Sequence, residues 1–299
     1  MSSTQSGSSS QPGILQPVPN VARHLIFTHV PDSDPVEQLK RLQAIADGDK
    51  IVVGLGASLL AQLACDIKGM QEMPMMSGAA VEIPSTPAAL WIWQRGEDRG
   101  ELLAQAREIR HCLAGAFELR EAVDCFMYRD SRDLSGYIDG TENPEGEKAE
   151  QAALVSSNID GLDQSSFASV QQWIHNLGHF HSLPQSEQDN IFGRHIADNE
   201  EFDEAPESAH VKRSAQESFA PEAFMVRRSM PWNDSTHEGL VFLCFGKSFD
   251  AFQDILKRMV GLEDGITDGL FRFTQPVTGM FFWCPPMDDG KLNLSLLKI

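Results

Sequence analysis

What most constrains this chain is the order of its apolar patterns. "ARHLIFTHV" has the composition and length of a strand. "DPVEQLKRLQAIADG" then carries Val36, Leu39, Leu42 and Ile45 at helical spacing and stops at Gly48. "KIVVGLG" predicts a second strand and "ASLLAQLAC" a short helix. "AALWIWQ" predicts a strand, "RGELLAQAREIRHCLAG" a long helix striped by Leu102, Ala106, Ile109 and Leu113, and "LREAVDCFMYR" a closing strand. The succession is strand–helix–strand twice over, the plan of a ferredoxin-like unit.

The second half repeats it loosely. "SFASVQQWIHNL", "EAFMVRRSM", "GLVFLCFG" and "TGMFFWCP" predict strands. "PQSEQDNIFGR" and "SFDAFQDILKRMVG" predict helices, the latter with Phe249, Phe252, Ile255, Leu256 and Met259 on one face. The expected class is α+β: two ferredoxin-like domains in tandem, each an antiparallel sheet with helices packed on one face. The boundaries fall at 1–20 for a Ser/Gln/Pro-rich mobile arm, 21–130 for the first domain and 131–299 for the second. Between Asp189 and Glu207 runs an acidic segment, "DNEEFDEAPE", expected as a solvated excursion.

Charge excludes some partners. A formal net charge of -19 suits neither nucleic acid nor an anionic membrane surface, since both reward neutralised phosphates. It draws cationic partners, metal ions included. The cysteines Cys65, Cys112, Cys125, Cys244 and Cys284 are odd in number, lack a CxxC pair and sit mostly in apolar runs. Packed, reduced thiols in a cytoplasmic protein are the expectation. No stretch is long enough to span a membrane, and the N-terminus lacks the charge and apolar core of a signal peptide.

Several short motifs carry weak signals. "VVGLGASLL" offers Gly54 and Gly56 without a third glycine, which fits a turn opening a helix better than a dinucleotide site. "HNLGHFH" groups His175, His179 and His181 at a strand end, where alternation scatters side chains; a surface or interface cluster is expected over zinc. No nucleophile elbow is present. In "FMVRRSMPW", alternation puts Arg227 and Arg228 on opposite faces, so one points to the covered side, toward a salt bridge, an anion or a cofactor. "GYIDGTENPEG" is a turn by its Gly, Asn and Pro. Its Asp139 is either solvent decoration or a buried acid with a chemical task.

Taken in register, these pieces resemble the dye-decolorizing peroxidases. Gly136-x-x-Asp139-Gly140 is similar to the family's GxxDG motif. The "AHV" histidine His210, the "VRRSMP" arginine Arg227 and the closing segment "RFTQPVTGMFFWCPP" follow in the family's order. The likeness runs from about Val21 to the C-terminus and is nearest the compact bacterial members, often called class B. It implies haem b held by the second half, with His210 as the iron's axial ligand. It implies Asp139 and Arg227 on the opposite face as catalytic groups, with Ser229 nearby where the family sometimes has Asn. Asp268 would accept the other ring N–H of His210, preferred to its rival Asp264 for its position in the motif. Arg194 would bind a propionate, Gly140 and Thr141 would lie against the cofactor, and Phe242 would line the pocket.

The implied activity is reduction of hydrogen peroxide through a ferryl intermediate, with oxidation of dyes, phenols or other small electron donors. The alternative is a haem- or iron-handling protein whose peroxidase activity is incidental. Trp173, Trp232, Trp283 and Tyr137 are candidate electron relays, each of which could equally be packing. Family likeness implies a homo-oligomer, a dimer or larger. Some members end in a spaced tail that addresses them to a protein nanocompartment. Here "MDDGKLNLSLLKI" follows the last strand with no spacer, so it is read as packed C-terminus and not as a cargo signal.

Overall fold

A computed structural model describes residues 8–78 and 80–299. The first half forms β1 (Val21–His29), α1 (Val36–Ile45), β2 (Ile51–Leu55), α2 (Ala57–Gln62), a small hairpin of β3 (Met76–Ser77) and β4 (Glu82–Ile83), β5 (Leu90–Gly96), α3 (Arg99–Leu113) and β6 (Phe117–Phe126). The second half forms α4 (Gly146–Ala153), β7 (Ser166–His175), α5 (Leu177–Ser182), α6 (Gln185–Phe192), α7 (His210–Arg213), β8 (Val226–Arg227), β9 (Met230–Asn233), β10 (Glu238–Gly246) and α8 (Asp250–Met259). It closes with β11 (Thr274–Pro276), β12 (Met280–Cys284) and a hairpin of β13 (Met287–Asp288) and β14 (Lys291–Leu292).

Local chemistry accounts for the long helices. Asp98 caps α3 by accepting from the Glu101 amide at 2.9 Å, and Arg110 and His111 sit in its last turn, where the helix dipole favours cations. Leu102, Ala106, Ile109 and Leu113 form its buried stripe. On α8 the stripe is Phe252, Ile255, Leu256 and Met259. Both helices lay these stripes against outward-facing strand residues such as Leu25, Phe27 and Phe281.

Two separate sheets were the expectation, and this is corrected. There is one ten-stranded sheet, ordered β11-β7-β12-β2-β5-β1-β6-β9-β10-β8, and β7 also pairs with β10. The pairing β7–β10 closes a ring in which every ladder is antiparallel. The halves meet at two narrow seams, Leu55 opposite Trp283 and Cys125 opposite Trp232. Pairing these edges removes unsatisfied strand groups that two isolated sheets would leave in water. Inside the ring, alternation from both halves builds a second core with Ile26, Val52, Trp91, Trp93, Leu243, Phe245 and Phe282. Burying a side chain such as Phe282 stabilises the fold by roughly 1.5–3 kcal/mol. His24 lies in this core, accepts from Trp91 Nε1 at 3.1 Å, and is lowered by burial to a pKa of about 3.

The N-terminal arm is not free from Ser8 onward; its first residues lie outside the described ones. Ser9 pairs with Met287, and the buried Gln11 exchanges hydrogen bonds with Val53 and also reaches the Pro285 carbonyl. Arg228 and Arg95 grip the Leu15 and Pro17 carbonyls. At the other end Met287, Leu292, Leu294 and Leu297 are buried, so the terminal segment is packed, as expected. All five cysteines are free; Cys125, Cys244 and Cys284 are buried. Among the described residues no helix is long and apolar enough to cross a membrane.

Candidate active site

On the outer face of the second half, β7, β8, β10 and β11 form one wall of a cavity, and α7 and α8 form the other. An apolar inner chamber is lined by Trp173, Leu240, Phe242, Phe252, Leu256 and Phe273, among others. A polar outer chamber of about 1310 Å³ leads to solvent past Gly140, Thr141, Arg194 and Lys212. Asp139, His210 and Arg227 line both.

His210 opens α7. Its Nδ1 is 2.8 Å from Oδ2 of Asp268, which is only 1% exposed. The other oxygen of Asp268 accepts the Leu270 amide at 2.8 Å and caps the turn Gly269–Arg272. The carboxylate is thus fixed twice, and it fixes the imidazole with Nε2 free. Asp264 has a different partner. It takes both terminal nitrogens of Arg213 at 2.7 Å, tying α7 to the loop after α8.

Asp139 sits in the turn Gly136–Gly146, and two devices hold it there. One is a hairpin: Asp139 N donates to Ser131 O at 3.2 Å, and Asp133 N to Tyr137 O at 2.9 Å. The other is Gly140, at φ +80°, where an added Cβ would lie 3.0 Å from Asn143 Nδ2. That amide is committed. Asn143 accepts from Arg227 N at 2.8 Å and donates to Arg227 O at 3.0 Å, behaving as one more strand beside β8. The Asp139 turn and the Arg227 strand are therefore one assembly. Burial raises the Asp139 carboxyl above its usual range, while the Arg227 charge opposes the rise.

Neither Arg227 nor Arg228 pairs with a carboxylate among the described residues, so the salt-bridge reading fails for both. Arg227 faces the cavity with its Nε unpartnered. Arg228 faces the other way and is lowered to a pKa of about 10 by burial and by neighbouring Arg95. Ser229 stands apart from both main chambers. It lines a side recess with Asp139, Arg227 and Leu15, and its hydroxyl is buried without a partner. Arg194 lies at the mouth, paired with Glu142 at 3.0 Å and with Glu201.

Other expectations change. His175 is not part of a surface cluster: it is buried on β7, while His179 and His181 lie exposed on α5. No group of three or more metal-ligating side chains occurs among the described residues. Asp189 belongs to α6 and binds the Tyr137 hydroxyl instead of opening an acidic loop. Trp173, Trp232, Trp283 and Tyr137 are all buried, so none is a surface entry point for electrons. Trp173 and Tyr137 do line the cavity. Gly56 precedes α2 as a turn residue, without a phosphate-cradling loop.

Asp133, Gln171 and Thr274, which no sequence motif singled out, also line the inner chamber, as does His175, which was expected at the surface. Gln171 is 1% exposed and neither of its amide atoms has a partner. An unpaired buried amide costs about 1–3 kcal/mol per group, the signature of a place meant to meet something polar. The signal was available: Gln171, Trp173 and His175 share the cavity-facing side of β7 by simple alternation.

The profile of the family described as "Dyp-type peroxidase, C-terminal" matches residues 130–289, more than half of the chain. A dye-decolorizing peroxidase of Rhodococcus erythropolis is 28% identical over 294 residues, spanning 92% of this chain and 86% of its own. A solved structure from Shewanella oneidensis, described as a dyp-type peroxidase, superposes with a TM-score of 0.86 at 28% identity, covering 97% of this chain and 98% of that one. A variant of DypB from Rhodococcus jostii RHA1, in complex with heme, shares the fold with a TM-score of 0.82 at 24% identity, over 91% of this chain and 94% of its own. With its mixed α and antiparallel β architecture and a family profile matched over residues 130–289, the chain belongs to the Dyp-type peroxidase family.

Proposed function

We propose that this protein is a haem b peroxidase in which His210 would hold the iron and Asp139 and Arg227, lining the same cavity, would handle protons and charge. One arrangement carries the reading. His210 is fixed through Nδ1 by the buried Asp268, with Nε2 free, in the same cavity as a carboxylate of raised proton affinity and an arginine without a counter-ion. The donor set suits haem: an imidazole with an anionic partner, apolar walls, and a cation at the mouth. Arg194 would meet a propionate, Gly140 and Thr141 the rim, and Phe242 a face of the ring. Bound there, haem supplies a redox-active iron that takes two oxidising equivalents from peroxide and returns them to a donor.

The chain's own residues manage protons and charge. Asp139 takes the proton from the inner peroxide oxygen and delivers it to the outer one, which leaves as water. Arg227 offers fixed donors to the negative charge that develops as the O–O bond parts. Asp268 keeps the His210 ring oriented and raises its basicity. Hydrogen peroxide and a small electron donor are the substrates. The family assignment favours this over a haem-handling role.

We further read the halves as two ferredoxin-like units, residues 21–130 and 131–299. Their strand orders, β2-β5-β1-β6 and β12-β7-β10-β9, support that division. The free thiols support a cytoplasmic setting, and family likeness supports a homo-oligomer. An absorption spectrum tests the core of the reading. The purified protein shows a Soret band that shifts on one equivalent of peroxide, and His210→Ala abolishes or strongly shifts it. A haem-loaded protein whose His210→Ala variant keeps the parent spectrum would falsify the ligand assignment.

A further inference from the structure

The wall of the inner chamber carries a second ionisable unit that the proposed chemistry does not use. His175, on β7, is buried. Its Nε2 is 2.9 Å from Oδ2 of Asp133, in the hairpin that also positions Asp139. Its Nδ1 is 2.6 Å from Oγ1 of Thr274, on β11. That hydroxyl also lies 3.1 Å from the Ile174 carbonyl. Asp133, His175 and Thr274 all line the chamber that Asp139, Arg227 and His210 line. Tyr137 is a further titratable group in this lining, its hydroxyl tied to Asp189 and its ionisation opposed by burial; Trp173, Gln171 and the Phe273 ring carry no charge.

The hydrogen-bond count is what singles this unit out. Thr274 has one hydroxyl hydrogen and two acceptors within reach. When the imidazole is neutral, Nε2–H donates to Asp133 and the Thr274 hydroxyl donates to bare Nδ1. When a proton is added at Nδ1, that N–H donates to Thr274 Oγ1, whose own hydrogen turns to the Ile174 carbonyl. Asp133 Oδ2 accepts in both states. The imidazole, the Thr274 hydroxyl and Asp133 keep a partner in both. A backbone amide facing Nδ1 would forbid the added proton, and a carbonyl would trap it. A rotatable hydroxyl permits both. Asp133 is held in its anionic form in the same way: burial works against the charge, but the bonds and charge of His175 and the Ser135 contacts more than offset it.

We propose that Asp133, His175 and Thr274 form a proton store that feeds the cavity, a role that rests on the peroxidase reading above. Turnover of one peroxide consumes two electrons and two protons and leaves two waters. The donor supplies the electrons, and Asp139 only moves a proton already present on peroxide. The two further protons must reach the product oxygen from elsewhere. In the proposed step the Thr274 hydroxyl hydrogen turns from the Ile174 carbonyl to a water in the cavity and is transferred to it, while the Nδ1–H bond of His175 breaks and that proton bonds to Thr274 Oγ1; the renewed hydroxyl then donates to bare Nδ1. Solvent returns a proton to Nδ1 through the outer chamber between turnovers.

The test is stopped-flow kinetics on haem-loaded parent, Thr274→Val, Thr274→Ser and His175→Gln, following donor oxidation after a peroxide pulse, with proton uptake read by an indicator dye. In Thr274→Val and His175→Gln the donor-oxidation step should slow about tenfold or more, lose its pH dependence and lag in proton uptake, while Thr274→Ser, which keeps a rotatable hydroxyl, should recover to within about twofold. A merely structural threonine would leave the pH profile and proton uptake unmoved. Parent-like proton uptake in Thr274→Val or His175→Gln, or a Thr274→Ser enzyme as slow as Thr274→Val, overturns the proposal. Failure of the parent itself to consume peroxide counts against the functional reading; failure of the variants to depart from an active parent counts against the proton store alone.

Discussion

At the scale of single residues, the cavity places groups that the fold alone would not choose. The Asp139 carboxyl is one of them. Burial raises its proton affinity despite Arg227, so folding makes this carboxyl harder to ionise. The sign of the linkage follows. A folded pKa above the unfolded one gives stability that is fully present below the ordinary carboxylate range and lost as pH rises through the raised value. At pH 7 the ionised acid is therefore a burden, and Asp139→Asn should melt at a higher temperature than the parent. Below the ordinary carboxylate range the two should converge. The same substitution should slow the reaction with peroxide by about a hundredfold or more, the usual scale for a lost acid–base group. Matched thermal melts at both pH values, with stopped-flow rates, check the pair of outcomes. Asp139, His210, Arg227 and Asp268 were legible because their spacing along the chain resembles a family pattern. His175 was not, because its meaning lies in Asp133 and Thr274, which are 42 and 99 residues away in sequence.

At the scale of elements, the seam between β2 and β12 is the tightest test of the ring. Gly54, beside it, has Phe282 Cβ 2.7 Å and Trp91 Cε3 2.8 Å from where its own Cβ would stand. Gly54→Ala should cost about 1–3 kcal/mol through overpacking, read as a lower denaturant midpoint. Haem content per folded molecule should be unchanged, because neither Gly54 nor the side chains it would crowd, Trp91 and Phe282, line the cavity. Apart from β9, the strands of the ring were legible one at a time from their hydrophobic period. The interruptions were not. The predicted strand over "EAFMVRRSM" is broken between Val226–Arg227 and Met230–Asn233; β10 pairs with one side of the first piece, and the Asn143 side chain pairs with Arg227 on the other like a neighbouring strand.

At the scale of the whole molecule, charge and closure dominate. A net charge of -19 should favour cationic donors over sulfonated dyes. Matched cationic and anionic donors compared by kcat/KM at low salt should differ in that order, and the gap should narrow as ionic strength shortens the screening length to about 10 Å at 0.1 M. Equal values at low salt would refute steering. The two repeats were legible from pattern order, but their fusion was not, because no local period announces that Leu55 will lie opposite Trp283.

That distant pairing has a consequence for how the molecule is made. On a ribosome, β2 emerges early and its partner β12 almost last. Throughout the interval the growing chain carries a bare strand edge, a template for pairing with another chain. The ring cannot shut, nor β7 gain the flank that steadies its cavity-facing side chains, until the residues near 284 are free to fold back. The hazard of assembly is thus concentrated in the unfinished chain, and the finished one hides it by joining its own two ends.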